Sequence, residues 1–202
     1  MNPYDLKLNK GIATYSLAHQ FNANFTYPLP FGRGTSGLLN RFIGGWQWNG
    51  IINAQSGFPF TPTVGSNISG SGDTQLPDVP NRNPNFQGKI IRGVDGFKKT
   101  GTYFDQQAFS LPLAGTFGNS PRGALFGPGL FTLDTSFFKR ININEKWALQ
   151  FRAEAFNLLN HANFGTPNPV VFSGTSYGPS TGVITSTNGT SRQIQFALKL
   201  QF

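Results

Sequence analysis

The chain has 202 residues, a net charge of +8 and no cysteine, so disulfide staples, cysteine-based zinc sites and thiol chemistry are excluded. Only 12% of residues are charged, about half the usual share, while 14% are aromatic, with 21 Phe, 25 Gly and 14 Pro. The basic residues are scattered, the longest runs being the pairs Lys98-Lys99 and Lys139-Arg140, and this argues against a nucleic-acid footprint, which needs clustering.

The recurring period along the chain is two, the period of a strand with two different faces. In residues 17–27, Phe21, Ala23, Phe25 and Tyr27 oppose Gln20, Asn22, Asn24 and Thr26. The segment 28–44 is a long connection. Residues 45–55 set Trp46, Trp48, Ile52 and Ala54 against Gln47, Asn49, Asn53 and Gln55, with Ile51 breaking the pattern. The long stretch 57–129, rich in Gly, Pro, Asn, Ser and Thr, reads as a loop. Residues 130–140 place Phe131, Leu133, Thr135 and Phe137 opposite Thr132, Asp134 and Ser136. A tight turn is expected at 141–145. In residues 146–156, Trp147, Leu149, Phe151, Ala153 and Ala155 oppose Gln150, Arg152 and Glu154. A second long loop is expected over 157–190. In the last segment, 192–202, Ile194, Phe196, Leu198, Leu200 and Phe202 oppose Gln193, Gln195, Ala197, Lys199 and Gln201.

The pattern predicts an all-β chain with five antiparallel strands of about 11 residues, the length a tilted strand needs to cross a bilayer. Each strand taken alone also fits a half-buried strand of a soluble sandwich. Two features favour an inside-out arrangement, apolar face in lipid and polar face in a lumen. The polar faces carry Asn, Gln, Ser and Thr where a water-exposed sheet would carry Lys and Glu. Aromatics stand at strand ends (Tyr27, Trp46, Trp48, Trp147, Phe156 and Phe202), as in an interfacial girdle. Strand alternation then requires 57–129 and 157–190 to leave the sheet at one end, the extracellular one. No stretch approaches the roughly 20 apolar residues of a membrane helix.

The final strand, with alternate apolar residues Ile194, Phe196, Leu198, Leu200 and Phe202, resembles the C-terminal assembly signal of bacterial outer-membrane proteins. The run Phe151-Arg152-Ala153-Glu154-Ala155-Phe156-Asn157-Leu158-Leu159-Asn160-His161-Ala162-Asn163-Phe164 resembles a signature near the end of Oar-like TonB-dependent receptors. So do Tyr103-Phe104-Asp105, Gly118-Asn119-Ser120-Pro121-Arg122, Gly127-Pro128-Gly129, and His19-Gln20-Phe21 through Tyr27-Pro28-Leu29-Pro30-Phe31-Gly32. The resemblance implies the C-terminal strands of a transmembrane barrel of about 22 strands around a plug. It also implies a place in the outer membrane, in contact with its lipid and with the barrel assembly machinery. TonB would be reached only through a plug, which this sequence does not include. Five strands cannot close a barrel when the smallest need about eight. The chain is therefore expected to be a fragment, a truncated gene product or a mis-started reading frame, all the more because its first residues show no signal peptide. A secreted structural or lectin-like β-sandwich binding protein is the alternative.

Candidate chemistry is sparse, and no enzyme activity, cofactor or metal is expected. Gly174-Thr175-Ser176-Tyr177-Gly178 fits G-x-S-x-G, but Pro179 to Gly182 follow where a nucleophile elbow needs a helix, so a loop is the better reading. The histidines are His19 and His161, and a metal site would need further carboxylate or imidazole residues at regular spacing in the sequence, which does not show them. Gln150, Arg152 and Glu154 are lumen-facing candidates, with Arg152 and Glu154 set to pair. Asn157, Asn160 and Asn163 with His161 could bind a sugar or a metal complex, but capping the strand and shaping the turn is the commoner role for Asn.

Overall fold

The computed structural model describes residues 5–32, 37–73 and 77–202. They fall into two compact units: Met1–Ala18, Ser56–Gly129 and Asn163–Asn188 form one, and His19–Gln55, Leu130–Ala162 and Gly189–Phe202 form the other.

The second unit is an antiparallel sheet of five strands: β1 (Gln20–Pro28), β2 (Trp46–Gln55), β3 (Leu130–Asn142), β4 (Ala148–Phe156) and β5 (Gln193–Gln201). They are hydrogen-bonded in sequence order, so each strand pairs with its neighbour in the chain and β1 and β5 are the outer strands. Pro28, which can donate no ladder bond, sits at the end of an outer strand. At about 3.3 Å per residue the shortest strands, nine residues each, are about 30 Å long, enough to span a hydrocarbon layer when tilted.

Register decides what this sheet is. Directly paired residues in an antiparallel ladder share a face. Tyr27 pairs with Trp48, Trp48 with Phe137, Phe137 with Ala153 and Ala153 with Phe196. A second row runs Ala23, Ile52, Leu133. Every apolar set therefore falls on one face of the sheet. A one-residue slip in any pair would send one strand's apolar set to the opposite side.

The hairpin between β3 and β4 is displaced from its expected place at 141–145. Both strands continue pairing to Asn142 and Ala148, and the reversal occupies 143–147. The N–H groups of Ile143 and Asn144 donate to the Trp147 carbonyl (2.9 and 3.2 Å). The Asn144 side-chain oxygen accepts from the N–H groups of Lys146 and Trp147 (2.9 and 2.8 Å). This is the local bonding for which Asn is favoured in turns, and it lets the ladder run further than the alternation suggests.

The stretches 57–129 and 157–190, expected as loops, contain much of the first unit. Its strands are two to four residues long: Pro59–Phe60 pairs with Leu125–Phe126, Asn81–Arg82 with Phe109–Ser110, and Val170–Ser173 with both Thr63–Val64 and Ser176–Tyr177. They surround a core of Phe60, Val64, Phe104, Ala108, Phe109, Leu125, Val171 and Phe172. Phe104 and Phe109 meet edge to face at 6.2 Å. A helix, Gly93–Thr100, ends at Gly101, whose φ of 76° lets its N–H return to the Phe97 carbonyl (2.7 Å). Arg92 pairs with Asp105 at 2.5 Å. Burial pushes the Tyr103 phenol above its ordinary value.

Candidate membrane wall and lumen face

The face carrying Ile194, Phe196, Leu198 and Leu200 is open. These four side chains are 61%, 72%, 67% and 48% exposed, and Phe202 is 92% exposed. Trp147 is also exposed, and Leu149 and Phe151 are half-buried by their neighbours. The six residues Trp147, Leu149, Phe151, Phe196, Leu198 and Leu200 thus form the continuous outward band that the alternation predicts. Its aromatics interlock: Trp46 and Phe151 at 5.9 Å, Phe151 and Phe196 at 6.3 Å, Trp48 and Phe137 at 6.3 Å, Trp147 and Phe202 at 5.3 Å. Tyr27, Trp46, Trp48, Trp147 and Phe202 all lie toward the end of the sheet that carries the 143–147 turn. Phe156 does not belong with them. It shares the parity of Arg152 and Glu154 and therefore stands on the polar face, at the opposite end.

Polar groups on the apolar face have turned their bonds inward. The Trp48 indole N–H donates to Thr135 Oγ1 (2.6 Å), and the Thr135 hydroxyl donates to the Asn49 carbonyl (2.9 Å). Lys139, the one charged residue on this face among the described residues, is 3% exposed. Its Nζ donates to the carbonyls of Phe42 (2.8 Å) and Gly44 and lies 5.3 Å from the Trp46 ring. A surface meant for water needs no such economy. One facing hydrocarbon does, because an unsatisfied polar group there costs several kcal/mol.

The opposite face is joined across the strands by side-chain hydrogen bonds. Thr26 Oγ1 donates to Asn49 Oδ1 (3.0 Å), Gln47 Nε2 to the same oxygen (2.7 Å), and Asn49 Nδ2 to Ser136 Oγ (3.2 Å). Asn53 Nδ2 donates to Thr132 (3.2 Å), Gln195 Nε2 to Glu154 (2.6 Å) and Gln201 Nε2 to Gln150 (3.5 Å). Arg152 lies 3.5 Å from Glu154 and 6.0 Å from the Phe138 ring centroid. The three lumen-facing candidates Gln150, Arg152 and Glu154 thus stand together on the polar face, and Ile51 stands there too.

The asparagines after β4 shape the chain. Asn157 and Asn160 adopt φ of 47° and 50°, a left-handed region that Asn tolerates. The Asn157 amide donates to the carbonyls of His161 and Thr190 (3.0 Å each), and its oxygen accepts from the His161 N–H (3.0 Å). Its own N–H donates to Asp134 Oδ1 (2.8 Å), and Asn160 Oδ1 accepts from the Arg192 N–H (3.0 Å). This knot joins β3, the end of β4 and the entry to β5, a function that the spacing of Asn157 and Asn160 hints at and that the role of Asp134 does not. Asn163 belongs to the other unit, where its carbonyl accepts from the Asn188 N–H (2.7 Å). Ser176 lies just after a hairpin turn at Gly174 (φ 64°), and no helix follows Gly178, so the G-x-S-x-G run is a hairpin and its return. Among the described residues no three His, Asp or Glu side chains gather as metal ligands, and no helix is long and apolar enough to cross a membrane.

A sheet with one open apolar face, internally satisfied polar groups on that face and a hydrogen-bonded polar face behind it is a segment of a transmembrane β-barrel wall. The sequence matches the family model described as an outer membrane beta barrel domain over residues 1–195, and the chain belongs to that family. Its place is the bacterial outer membrane. No curated protein and no solved structure matches the chain.

Proposed function

We propose that the chain supplies part of the wall of a TonB-dependent uptake barrel of the Oar-like kind. The observation that carries the reading is the two-faced sheet: five strands in register, lipid side apolar, lumen side lined by Asn, Gln, Thr and the Arg152–Glu154 pair. The Oar-like run from Phe151 to Phe164 supports it, since its Arg152 and Glu154 pair on the polar face, the side this reading turns to the lumen, and its Asn157 ties the strand ends. A wide barrel of about 22 strands would hold a plug against such residues. The chain's own part is passage and anchoring, without covalent chemistry. Ile194, Phe196, Leu198, Leu200 and Phe202 would be read by the assembly machinery through strand addition at β5. Lipid is the standing partner, TonB a partner through the plug, and nucleic acid none.

The test is in-cell crosslinking of the intact barrel that contains this chain. A TonB adduct that disappears when the segment ahead of the plug is deleted is the expected outcome. A barrel that reaches the outer membrane, resists heat as a folded band and never crosslinks to TonB would overturn the uptake reading while leaving the wall in place.

A further inference from the structure

Transmembrane barrels have short turns at their periplasmic end. The connection from β1 to β2 is long, although it leaves from the same end as the tight 143–147 turn. Its base is closed by the Leu29 N–H donating to the Trp46 carbonyl (2.8 Å). Within it, the short helix Gly37–Ile43 is held to the apolar face of the sheet by the Phe42 carbonyl near its end and the Gly44 carbonyl just beyond it. Phe42 O accepts from the Trp46 indole (3.1 Å) and from Lys139 Nζ, and Gly44 O accepts from Lys139 Nζ. Gly32, at φ 78°, lets the chain pass so close to Gly44 that a Cβ would meet the Gly44 Cα at 2.7 Å.

These bonds occupy the Phe42 and Gly44 carbonyls and the Lys139 ammonium, and two aromatic rings of the connection face outward. Phe31 and Phe42 are 59% and 69% exposed. Beside them lies a cleft of about 490 Å³ lined by Leu29, Phe31, Phe42, Ile43, Trp46 and Phe137. That volume is within the range of about 300–1,000 Å³ typical of small-molecule sites. The cleft shares Trp46 and Phe137 with the aromatic band, so it continues the surface that faces lipid.

We propose that the described parts of the β1–β2 connection, residues 29–32 and 37–45, form an interfacial anchor at the periplasmic-side leaflet that seats one phospholipid acyl chain in this cleft. Lys139 is the clamp. It neutralises the carbonyl end of the helix, keeps its own charge out of hydrocarbon and fixes the rings outward. Apolar side chains beside a buried, carbonyl-capped lysine suit the boundary between headgroup and acyl chain, where interfacial helices bind. The inference rests on the outer-membrane assignment and is independent of what the barrel carries.

The intact barrel, refolded in phosphatidylethanolamine–phosphatidylglycerol vesicles containing brominated lipid, provides the test. A single environment-sensitive fluorophore is placed in turn at residue 42, at residue 198 in the apolar band and at residue 144 in the tight turn. The expected result is quenching at 42 comparable to that at 198 and several-fold above that at 144. In Lys139→Met, quenching at 42 should drop several-fold while that at 198 holds. If the label at 42 hinders folding, a label at 31 carries the same expectation. Quenching at 198 without quenching at 42 or 31 would overturn the anchor alone, and absence at all three positions would overturn the membrane face itself. Protection at 42 that grows with protein-to-lipid ratio without bromolipid quenching would assign the cleft to a second copy and overturn the lipid proposal.

Discussion

The two compact units use the same residue types in opposite ways. In the unit containing Ser56–Gly129, Phe60, Phe104, Phe109, Val171 and Phe172 are buried, as in a protein that folds in water. In the strand unit, Phe196, Leu198, Leu200 and Phe202 are exposed, and Ala148 is the one buried hydrophobic residue among those described. The hydrophobic effect alone would forbid such a surface in water, where large apolar patches mark interaction sites or aggregation. The difference is one of solvent: one unit buries its apolar groups in itself, and the other leaves them to the bilayer.

Substitutions that exchange the two logics should be the most damaging. Phe104→Ala removes a ring that is 1% exposed and should destabilise its unit by about 3–5 kcal/mol. In outer membranes carrying the intact barrel, this would appear as rapid proteolysis within 56–129 while the heat-resistant folded band persists. Leu198→Arg should act in the other unit, costing about 2–4 kcal/mol if residue 198 lies near the midplane. Gln195→Arg, on the opposite face beside Glu154, should leave the folded fraction on a heat-modifiability gel unchanged. Equal losses for the two arginines would break the comparison.

Asn157→Ala leaves a carbonyl of His161, a carbonyl of Thr190 and an N–H of His161 without their partner, at a cost of about 1–3 kcal/mol. Limited proteolysis should find new cleavage between β4 and β5, and cleavage confined to other segments would show that Asn157 does not hold the strand ends. The smallest effect on the folded wall should come from deleting Phe202, whose side chain packs on Trp147 but lies outside the ladder. Its larger effect should be on assembly. The fraction inserted in cells should fall further than with Leu200→Ala or deletion of Ser180, and equal fractions in all three would remove the signal role.

What was legible in the sequence follows from length. Strands of nine or more residues repeat their alternation often enough to be recognised, so β1 to β5 and both their faces can be read directly. Phe156 escaped because an aromatic at a strand end suggests a girdle, while its parity with Glu154 puts it on the polar face. The first unit could not be read this way. Pairs such as Pro59–Phe60 with Leu125–Phe126 are too short to show a period, and their partners lie about 65 residues apart, a separation that only tertiary packing closes. Lys139 followed the apolar parity of Phe131, Leu133 and Phe137, but the carbonyls that make a charge tolerable there come from the β1–β2 connection, which no local pattern announces.

The central claim, that the two faces meet different solvents, is tested most directly by scanning spin labels along residues 193–202 of the intact barrel in lipid vesicles. Collisions with oxygen, which concentrates in hydrocarbon, and with a water-soluble nickel chelate should alternate with a period of two. Oxygen contact should peak at 194, 196, 198 and 200, and nickel contact at 193, 195, 197 and 199. Alternation in the reverse phase, or nickel contact at all of these positions, would contradict the account.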